Sequence, residues 1–226
     1  MVRYLVYRFL YVSIDLMMKL RWWRWRVEGL ENLPPRSIGG MIIAVNHVHW
    51  LDILAVGRLL PFSYRVAWLG KSELFRNPVQ RWLLQNMHVI PVDRGKRDMA
   101  ALQAAEEGLR RGEVLLIFPE GTRSKTGMLQ KGRSGAVRLA MRTGVPIIPA
   151  ALIGTHHGIG GTLRGQEVVL RIGTPYYIKA RPDTGNHRAE YVSSATTDLM
   201  MQIAAMLPEG FRGHYRTALP QARLGP

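Results

Sequence analysis

The sequence predicts an α/β fold, a mostly parallel or mixed sheet flanked by helices, preceded by an amphipathic helical segment. Three observations predict it. Short apolar runs such as Met41–Val45, Glu113–Phe118 and Pro146–Leu152 have the length and content of buried strands. Segments of helical period fall between them, the alternation that builds a helix-covered sheet. Hydrophobic residues make up 47% of the 226 and charged residues 21%, an ordinary globular balance able to fill a core.

The elements follow in order. Residues 1–32 form the N-terminal segment, 33–210 the main domain and 211–226 a flexible basic tail. Pro34-Pro35 and Gly39-Gly40 punctuate the first boundary. Beyond it the pattern predicts strands at Met41–Val45, Arg65–Gly70, Val89–Asp93, Glu113–Phe118, Pro146–Leu152 and Val168–Gly173. Helices are expected at His47–Leu60, Asn77–Met87, Arg97–Arg111, Gly135–Thr143 and Arg188–Met206. Leu102, Ala105 and Leu109 share one helical face, as do Leu199, Ile203 and Met206, and both stripes read as core packing.

Residues 1–26 read as one helix. At about 100° per residue, Tyr4, Arg8, Tyr11, Asp15 and Lys19 fall on one stripe and most of the remaining perimeter is apolar. Arg8, Asp15 and Lys19 interrupt the apolar run, so the helix is expected to lie in a membrane surface and not to cross it. Trp22, Trp23, Arg24, Trp25 and Arg26 suit the headgroup layer, where indole rings are half wet and guanidinium groups meet phosphates. Residues 1–30 hold six basic and two acidic groups, a net of +4. No secretory cleavage pattern follows the apolar start. The expected location is the cytoplasmic face of the cell membrane, peripheral or monotopic.

Lys and Arg total 31 against 16 Asp and Glu, a net charge of +15. A nucleic acid, an anionic membrane or an acidic substrate would each suit that excess. The chain has no cysteine, which excludes disulfides, thiolate catalysis and cysteine zinc sites.

Candidate chemistry begins at Asn46-His47-Val48-His49-Trp50-Leu51-Asp52. His47 and Asp52 are five residues apart, which within one regular helix places them on different faces. They meet only if His47 sits at or before the helix start, at the end of the preceding strand. A carboxylate on one ring nitrogen then fixes the tautomer and leaves the other nitrogen as a base. This is a Ser-His-Asp triad without its serine, able to activate a substrate hydroxyl directly. A second element, Phe118-Pro119-Glu120-Gly121-Thr122-Arg123-Ser124, opens a Gly-rich basic loop through Lys125, Lys131 and Arg133. There glycine permits close backbone approach and Arg123 can hold a phosphate in two-pronged fashion. The Gly70-Lys71-Ser72 sequence is no nucleotide loop, because that motif requires glycine where Arg65 stands.

Taken with Lys71-Ser72-Glu73-Leu74-Phe75, Asp93-Arg94-Gly95 and Val145-Pro146-Ile147-Ile148-Pro149, these blocks occur in the order found in glycerolipid acyltransferases. The chain resembles that family, and especially its bacterial 1-acyl-glycerol-3-phosphate acyltransferases, over roughly residues 25–180. The resemblance implies an α/β acyltransferase domain, an acyl-CoA or acyl carrier protein (acyl-ACP) donor and a lysophosphatidic acid acceptor, giving phosphatidic acid. It implies catalysis by His47 and Asp52 without a covalent acyl-enzyme, a metal or a cofactor. Arg94, Glu120, Gly121, Thr122 and Arg123 are then expected at the acceptor and its phosphate, with Glu120 on a glycerol hydroxyl. Lys71 is the candidate at the oxyanion or the donor. A different acceptor, such as a lysophospholipid, an ornithine lipid or a glycolipid, is the nearest alternative. A basic membrane- or nucleic-acid-binding protein would explain the charge but has no use for the His47/Asp52 pair. The expected partners are therefore the two substrates and an anionic membrane, with no nucleic acid. His49 is read as surface or support, and His156-His157 as structural.

Overall fold

In the computed structural model of the chain, the described residues are 2–20, 22–93, 99–179 and 186–217, with side chains omitted at 2–4 and 186–187. Seven strands form one sheet: β1 (Arg24–Glu28), β2 (Met41–Val45), β3 (Val66–Lys71), β4 (Val89–Val92), β5 (Val114–Ile117), β6 (Ile147–Ile153) and β7 (Glu167–Ile172). Their order across the sheet is β1-β7-β6-β2-β5-β3-β4. From β6 to β4 every neighbouring pair is parallel. The β7 strand runs antiparallel to β6, and β1 runs parallel to β7. Strand β2 lies between β5 and β6, and its five residues are fully buried. A continuous apolar run, lacking the alternation of a half-exposed strand, is what such a central position requires.

Helices cover both faces. On one side α4 (Met99–Arg110), α5 (Gly135–Thr143) and α7 (Asn186–Met206) pack Leu109, Val137, Leu199 and Ile203 over Ile42, Leu115 and Ile147. On the other, α1 (Val2–Lys19), α2 (Leu51–Leu59) and α3 (Pro78–Asn86) cover Ile43, Val45, Leu116 and Ile148. A short α6 (Gly158–Leu163) joins β6 to β7. Local chemistry sets several ends. Asn77 Oδ1 accepts from the Val79 and Gln80 amides with Pro78 at the first helical position, which starts α3. Gly144 takes the left-handed conformation that stops α5.

The predicted 1–26 helix is corrected. It ends at Lys19, and residues 24–28 form the edge strand β1, paired with β7. The expected boundary after residue 32 therefore divides a single sheet. Trp25 is 4% exposed in the core beneath α1, whereas Trp22 is 56% exposed. Trp25 is therefore a core residue of the sheet, while Arg26, exposed on the edge strand, is paired with Glu28 and with Glu167 (2.6 Å). Helical period was misleading here because three tryptophans and three arginines over 21–26 fit a strand's alternation equally well.

The orientation of α1 is equally informative. Three of its polar groups face the protein, while Arg8 and Lys19 are exposed: Asp15 pairs with Arg58, Arg58 reaches the Tyr11 hydroxyl at 3.3 Å, and the Tyr7 hydroxyl donates to the Gly57 carbonyl at 2.9 Å. Burial pushes the Tyr7 phenol up to about 12, which keeps it a donor at neutral pH. Leu5, Phe9, Val12, Leu16 and Leu20, spaced along one helical stripe, point outward, with Phe9 72% exposed. No helix among the described residues is long and apolar enough to cross a membrane.

The expected tail is corrected over its first part. Residues 209–216 make 3-10 turns, and Tyr215 is buried with its hydroxyl accepting from the Gly132 amide at 3.0 Å. Residues 218–226 lie outside the described residues. The two tryptophans separate the structural from the surface role of the 22–26 segment. Trp25→Ala is expected to cost about 3–5 kcal/mol in urea unfolding. Trp22→Ala should fall within about 0.5 kcal/mol of the parent.

Candidate active site

The site lies at the C-terminal edge of the parallel strands, where open α/β sheets gather ligands. Helix α2 starts at Leu51, later than the sequence suggested, so His47 stands in the turn between β2 and α2. That placement lets the His-x4-Asp pair close: His47 Nδ1 lies 2.7 Å from Asp52 Oδ2. The same oxygen accepts from the Val48 amide at 2.7 Å and the His49 amide at 2.8 Å. Asp52 is thus both the partner of the imidazole and the cap of the turn that carries it. It is 0% exposed and in the first turn of α2, where the helix dipole favours a carboxylate. With Nδ1 as the donor to Asp52, Nε2 is the free base. Phe118 stacks on the His47 ring at 3.9 Å and fixes its plane.

The second motif holds the first. Phe118–Glu120 follows β5, the neighbour of β2, and the Gly121 amide closes a turn onto the Phe118 carbonyl at 2.9 Å. Glu120 is 3% exposed; its Oε1 accepts from the His47 amide at 2.6 Å. Its Oε2 accepts from the Gln130 amide at 2.9 Å and the Gln130 side chain at 3.3 Å. Burial raises the Glu120 carboxyl above its ordinary range, opposed by these N–H donors. The Ser124 amide donates to the His47 carbonyl at 2.8 Å. The His47 peptide is therefore gripped at both its N–H and its C=O by one loop. Both Glu120 oxygens are engaged inside the protein, which corrects the expectation that this carboxylate binds a glycerol hydroxyl.

Three supporting residues escaped the sequence reading. The Asn46 side chain exchanges two hydrogen bonds with the Leu152 backbone, 2.7 and 3.0 Å, and ties the end of β2 to β6. Gln130 and Tyr215 anchor the loop that carries Glu120. For Asn46 the signal was a buried-strand polar residue next to the candidate base. Gln130 meets Glu120 within a single irregular loop and Tyr215 reaches Gly132 from more than eighty residues away, and neither contact leaves a periodic pattern.

Two cavities meet at His47. One, of about 720 Å³, is the more polar of the two: His47, Lys71, Asp93, Gly121, Thr122 and Arg133 share its wall with Leu69, Val92, Leu116, Ile117 and Phe118. The other, of about 670 Å³, is mainly apolar, with Leu10, Trp50, Ile53, Trp68, Leu83 and Met87 in its wall. Lys71, at the end of β3, lines both. Gly121 and Thr122 line the first cavity, whereas Arg123 lines the apolar one. Arg94 lies outside the described residues; Asp93 beside it is bonded by the Ser72 hydroxyl. His49 accepts from the Leu51 amide at 3.2 Å and supports the turn. The His156 and His157 rings lie tilted with centroids 3.8 Å apart in the turn after β6, and burial lowers the His156 pKa.

This is an α/β domain organised around a carboxylate-oriented imidazole base, set where a polar cavity joins an apolar one. A family model described as Acyltransferase matches residues 24–153, and the chain belongs to that family. Among curated relatives, the 1-acyl-sn-glycerol-3-phosphate acyltransferase of Bacillus subtilis is 34% identical over 153 residues, 67% of this chain and 73% of that one. The chloroplastic 1-acyl-sn-glycerol-3-phosphate acyltransferase BAT2 of Brassica napus is 34% identical over 157 residues, 67% of this chain. This chain spans 44% of that relative's length. A lyso-ornithine lipid O-acyltransferase of Pseudomonas aeruginosa is 31% identical over 198 residues, 77% of this chain and 74% of that one. The crystal structure of the 1-acyl-sn-glycerophosphate (LPA) acyltransferase PlsC from Thermotoga maritima superposes with a TM-score of 0.62 at 25% identity, covering 87% of this chain and 78% of its own.

The Glu120 clamp makes a direct prediction. Glu120→Gln places an amide N–H₂ against the N–H donors of Gln130 or His47, and should cost about 1–3 kcal/mol of stability. The same variant should lower kcat more than it raises either KM, because it displaces the base and not a substrate contact. Chemical denaturation and steady-state kinetics on one preparation measure both.

Proposed function

We propose that this protein transfers a fatty-acyl group from acyl-CoA or acyl-ACP to the sn-2 hydroxyl of 1-acyl-glycerol-3-phosphate, giving phosphatidic acid. The observation that carries this reading is the His47–Asp52 pair at the junction of the two cavities. The polar cavity suits a phosphorylated headgroup and the apolar one an acyl chain, so the reacting hydroxyl and thioester meet at the base. The names of the relatives support the same substrate class.

In the proposed step, His47 Nε2 takes the proton of the acceptor hydroxyl as its oxygen attacks the thioester carbonyl. A C–O bond forms and the carbonyl becomes a tetrahedral oxyanion, for which Lys71, in the wall of both cavities, is the candidate. The C–S bond then breaks, and the imidazolium returns its proton to the leaving thiolate. Asp52 stabilises the imidazolium without itself being protonated. Among the described residues His47 has no serine or threonine hydroxyl as a hydrogen-bond partner, which fits direct transfer to the substrate over an acyl-enzyme.

A second reading has one specific support, the likeness to a lyso-ornithine lipid O-acyltransferase. It keeps the chemistry and changes the acceptor. Mass spectrometry of the products formed from acyl-CoA with lysophosphatidic acid or with lyso-ornithine lipid decides between them. Phosphatidic acid is the expected product; acylation of the ornithine lipid alone would overturn the acceptor assignment. His47→Ala should lower turnover by about 10²–10⁴-fold while the protein still folds, since the residue sits in a turn and not in the hydrophobic layers. Asp52→Asn should also cut kcat heavily.

The proposal places the protein on an anionic membrane surface at the cytoplasmic face. The outward Leu5/Phe9/Val12/Leu16 stripe of α1 supports this, together with Leu10 of the same helix in the wall of the apolar cavity. Apolar insertion is insensitive to salt, whereas basic groups near an anionic surface add about 1 kcal/mol each that salt screens. Vesicle co-sedimentation is therefore expected to fall only partly at high salt. It should fall to background when Phe9 and Val12 are both changed to Ser. Unchanged binding by that variant would place the membrane contact elsewhere.

A further inference from the structure

Residues 129–133 run between two partners and bind each in turn. The Leu129 amide donates to the Phe211 carbonyl at 2.9 Å, and the Leu129 carbonyl accepts from the His214 amide at 3.1 Å. The Gly132 amide donates to the Tyr215 hydroxyl at 3.0 Å. The residue after each of these faces the other way. The Gln130 amide donates to Glu120 Oε2 at 2.9 Å, and the Arg133 amide donates to the Pro119 carbonyl at 2.7 Å. One side of the run is thus held by the C-terminal turns, Glu209–Phe211 and Gly213–Tyr215. The other side holds the Glu120 carboxylate, which accepts from the His47 amide.

The C-terminal turns are fitted closely to the run. A Cβ at Gly213 would collide with the Leu129 carbonyl oxygen, and Gly213 has φ 48°, a conformation glycine adopts without strain. A Cβ at Gly132 would collide with Met200 of α7, so the run also lies hard against that helix. Leu129 and Tyr215 are both buried in the same apolar layer. The turns are pinned in their own right: Arg212 Nε donates to the Leu207 carbonyl at 3.1 Å, and Arg216 pairs with Glu209 at 3.2 Å. Phe211 shares the wall of a small cavity with Asn46, Val48, Gly127 and His156, so the turns reach the back of the His47 turn itself.

We propose that the C-terminal turns are a clasp that places the base, and that Tyr215 is a positioning residue for acyl transfer. It acts through Gly132 and Gln130 on the contact between Glu120 and His47. The inference rests on His47 as the proposed base. Tyr215 is in the wall of neither cavity at His47. Its hydroxyl fixes the Gly132 amide, two residues from the Gln130 donors that hold Glu120. Glu120 fixes the His47 amide and, with it, where Nε2 stands. Rate is steeply sensitive to such placement, since a shift of about 1 Å can cost about 10²-fold.

Two tyrosine hydroxyls in the full chain make the test. Tyr215→Phe removes the acceptor and keeps the buried ring. Tyr64→Phe is the control: the Tyr64 hydroxyl donates to the Pro34 carbonyl at 2.7 Å, away from the 129–133 run. Both should lower the urea midpoint, because each leaves a backbone group without its partner. Tyr215→Phe is expected to lower kcat about tenfold while the KM values for acyl-CoA and lysophosphatidic acid stay within about twofold. Tyr64→Phe should leave kcat within about twofold of the parent. Gly213→Ala, which pushes the clasp off Leu129, should reproduce the loss of kcat. Hydrogen exchange read by mass spectrometry should quicken over 129–133 in Tyr215→Phe and not in Tyr64→Phe. The assignment is overturned if Tyr215→Phe or Gly213→Ala keeps the parent's kcat, if Tyr64→Phe loses as much, if the loss is confined to KM, or if exchange over 129–133 is unchanged. Turnover retained by His47→Ala would instead count against the proposed base, and the exchange comparison would still report whether Tyr215 holds the loop.

Discussion

One buried carboxylate oxygen organises the reactive end of this sheet. Asp52 Oδ2 accepts from the His47 ring and from the Val48 and His49 amides, all within 2.8 Å. Withdrawing a carboxylate from water costs several kcal/mol. Hydrogen bonds to a charged group return about 1.5–3 kcal/mol each, so the ionised group is tolerated only where several donors converge. That convergence needs the chain to turn sharply between the end of β2 and the start of α2. The five-residue spacing supplies it, because the helix does not begin until Leu51. The fold of the turn and the orientation of the base are thus one event.

The turn is in turn braced from a distance. Glu120 and Ser124 hold the two ends of the His47 peptide, Gln130 holds Glu120, and Tyr215 holds Gly132. All of these links except the one between Gln130 and Glu120 join segments far apart in sequence, so the His47 turn inherits rigidity from beyond its own loop. The C-terminal turns belong to this chain of supports, which explains why a stretch without apolar periodicity is nonetheless ordered through Tyr215. Stacking of Phe118 on the imidazole completes the arrangement from the neighbouring strand.

Charge is distributed with the same economy. Acidic residues are spent on pairs at the sheet edge and between helices, as with Glu28 and Glu167 around Arg26 and Arg171. Among the described residues Arg123 and Arg133, on the loop beside the His47–Asp52 pair, form no ion pair, so positive charge is in excess there. On α1, Tyr7, Tyr11 and Asp15 make their polar contacts with the protein, while Leu5, Phe9, Val12 and Leu16 face out. A helix so oriented has its polar contacts satisfied by α2 and leaves an apolar stripe for an external partner.

The sequence by itself determined the alternating architecture, because runs such as Met41–Val45 and Glu113–Phe118 are too apolar and too short for anything but buried strands. It also determined that His47 and Asp52 can pair, since only a His47 standing before its helix can reach Asp52, and the ordered motif blocks marked the family. Tertiary structure decided the rest, where the signal was not local. The Trp/Arg alternation at 22–26 fits a wet helix end or a strand, and only pairing with β7, more than a hundred residues away, selects the strand. A Glu in a motif can face a ligand or the protein, and only the approach of His47 and Gln130 turns Glu120 inward. Two arginines on one basic loop look alike in sequence. The fold of residue 133 back onto Pro119 sends one into the polar cavity and leaves the other on the apolar wall. Spacing along the chain fixes which residues can meet locally; which distant groups converge is set by the sheet order, and the sheet order is a property of the whole chain.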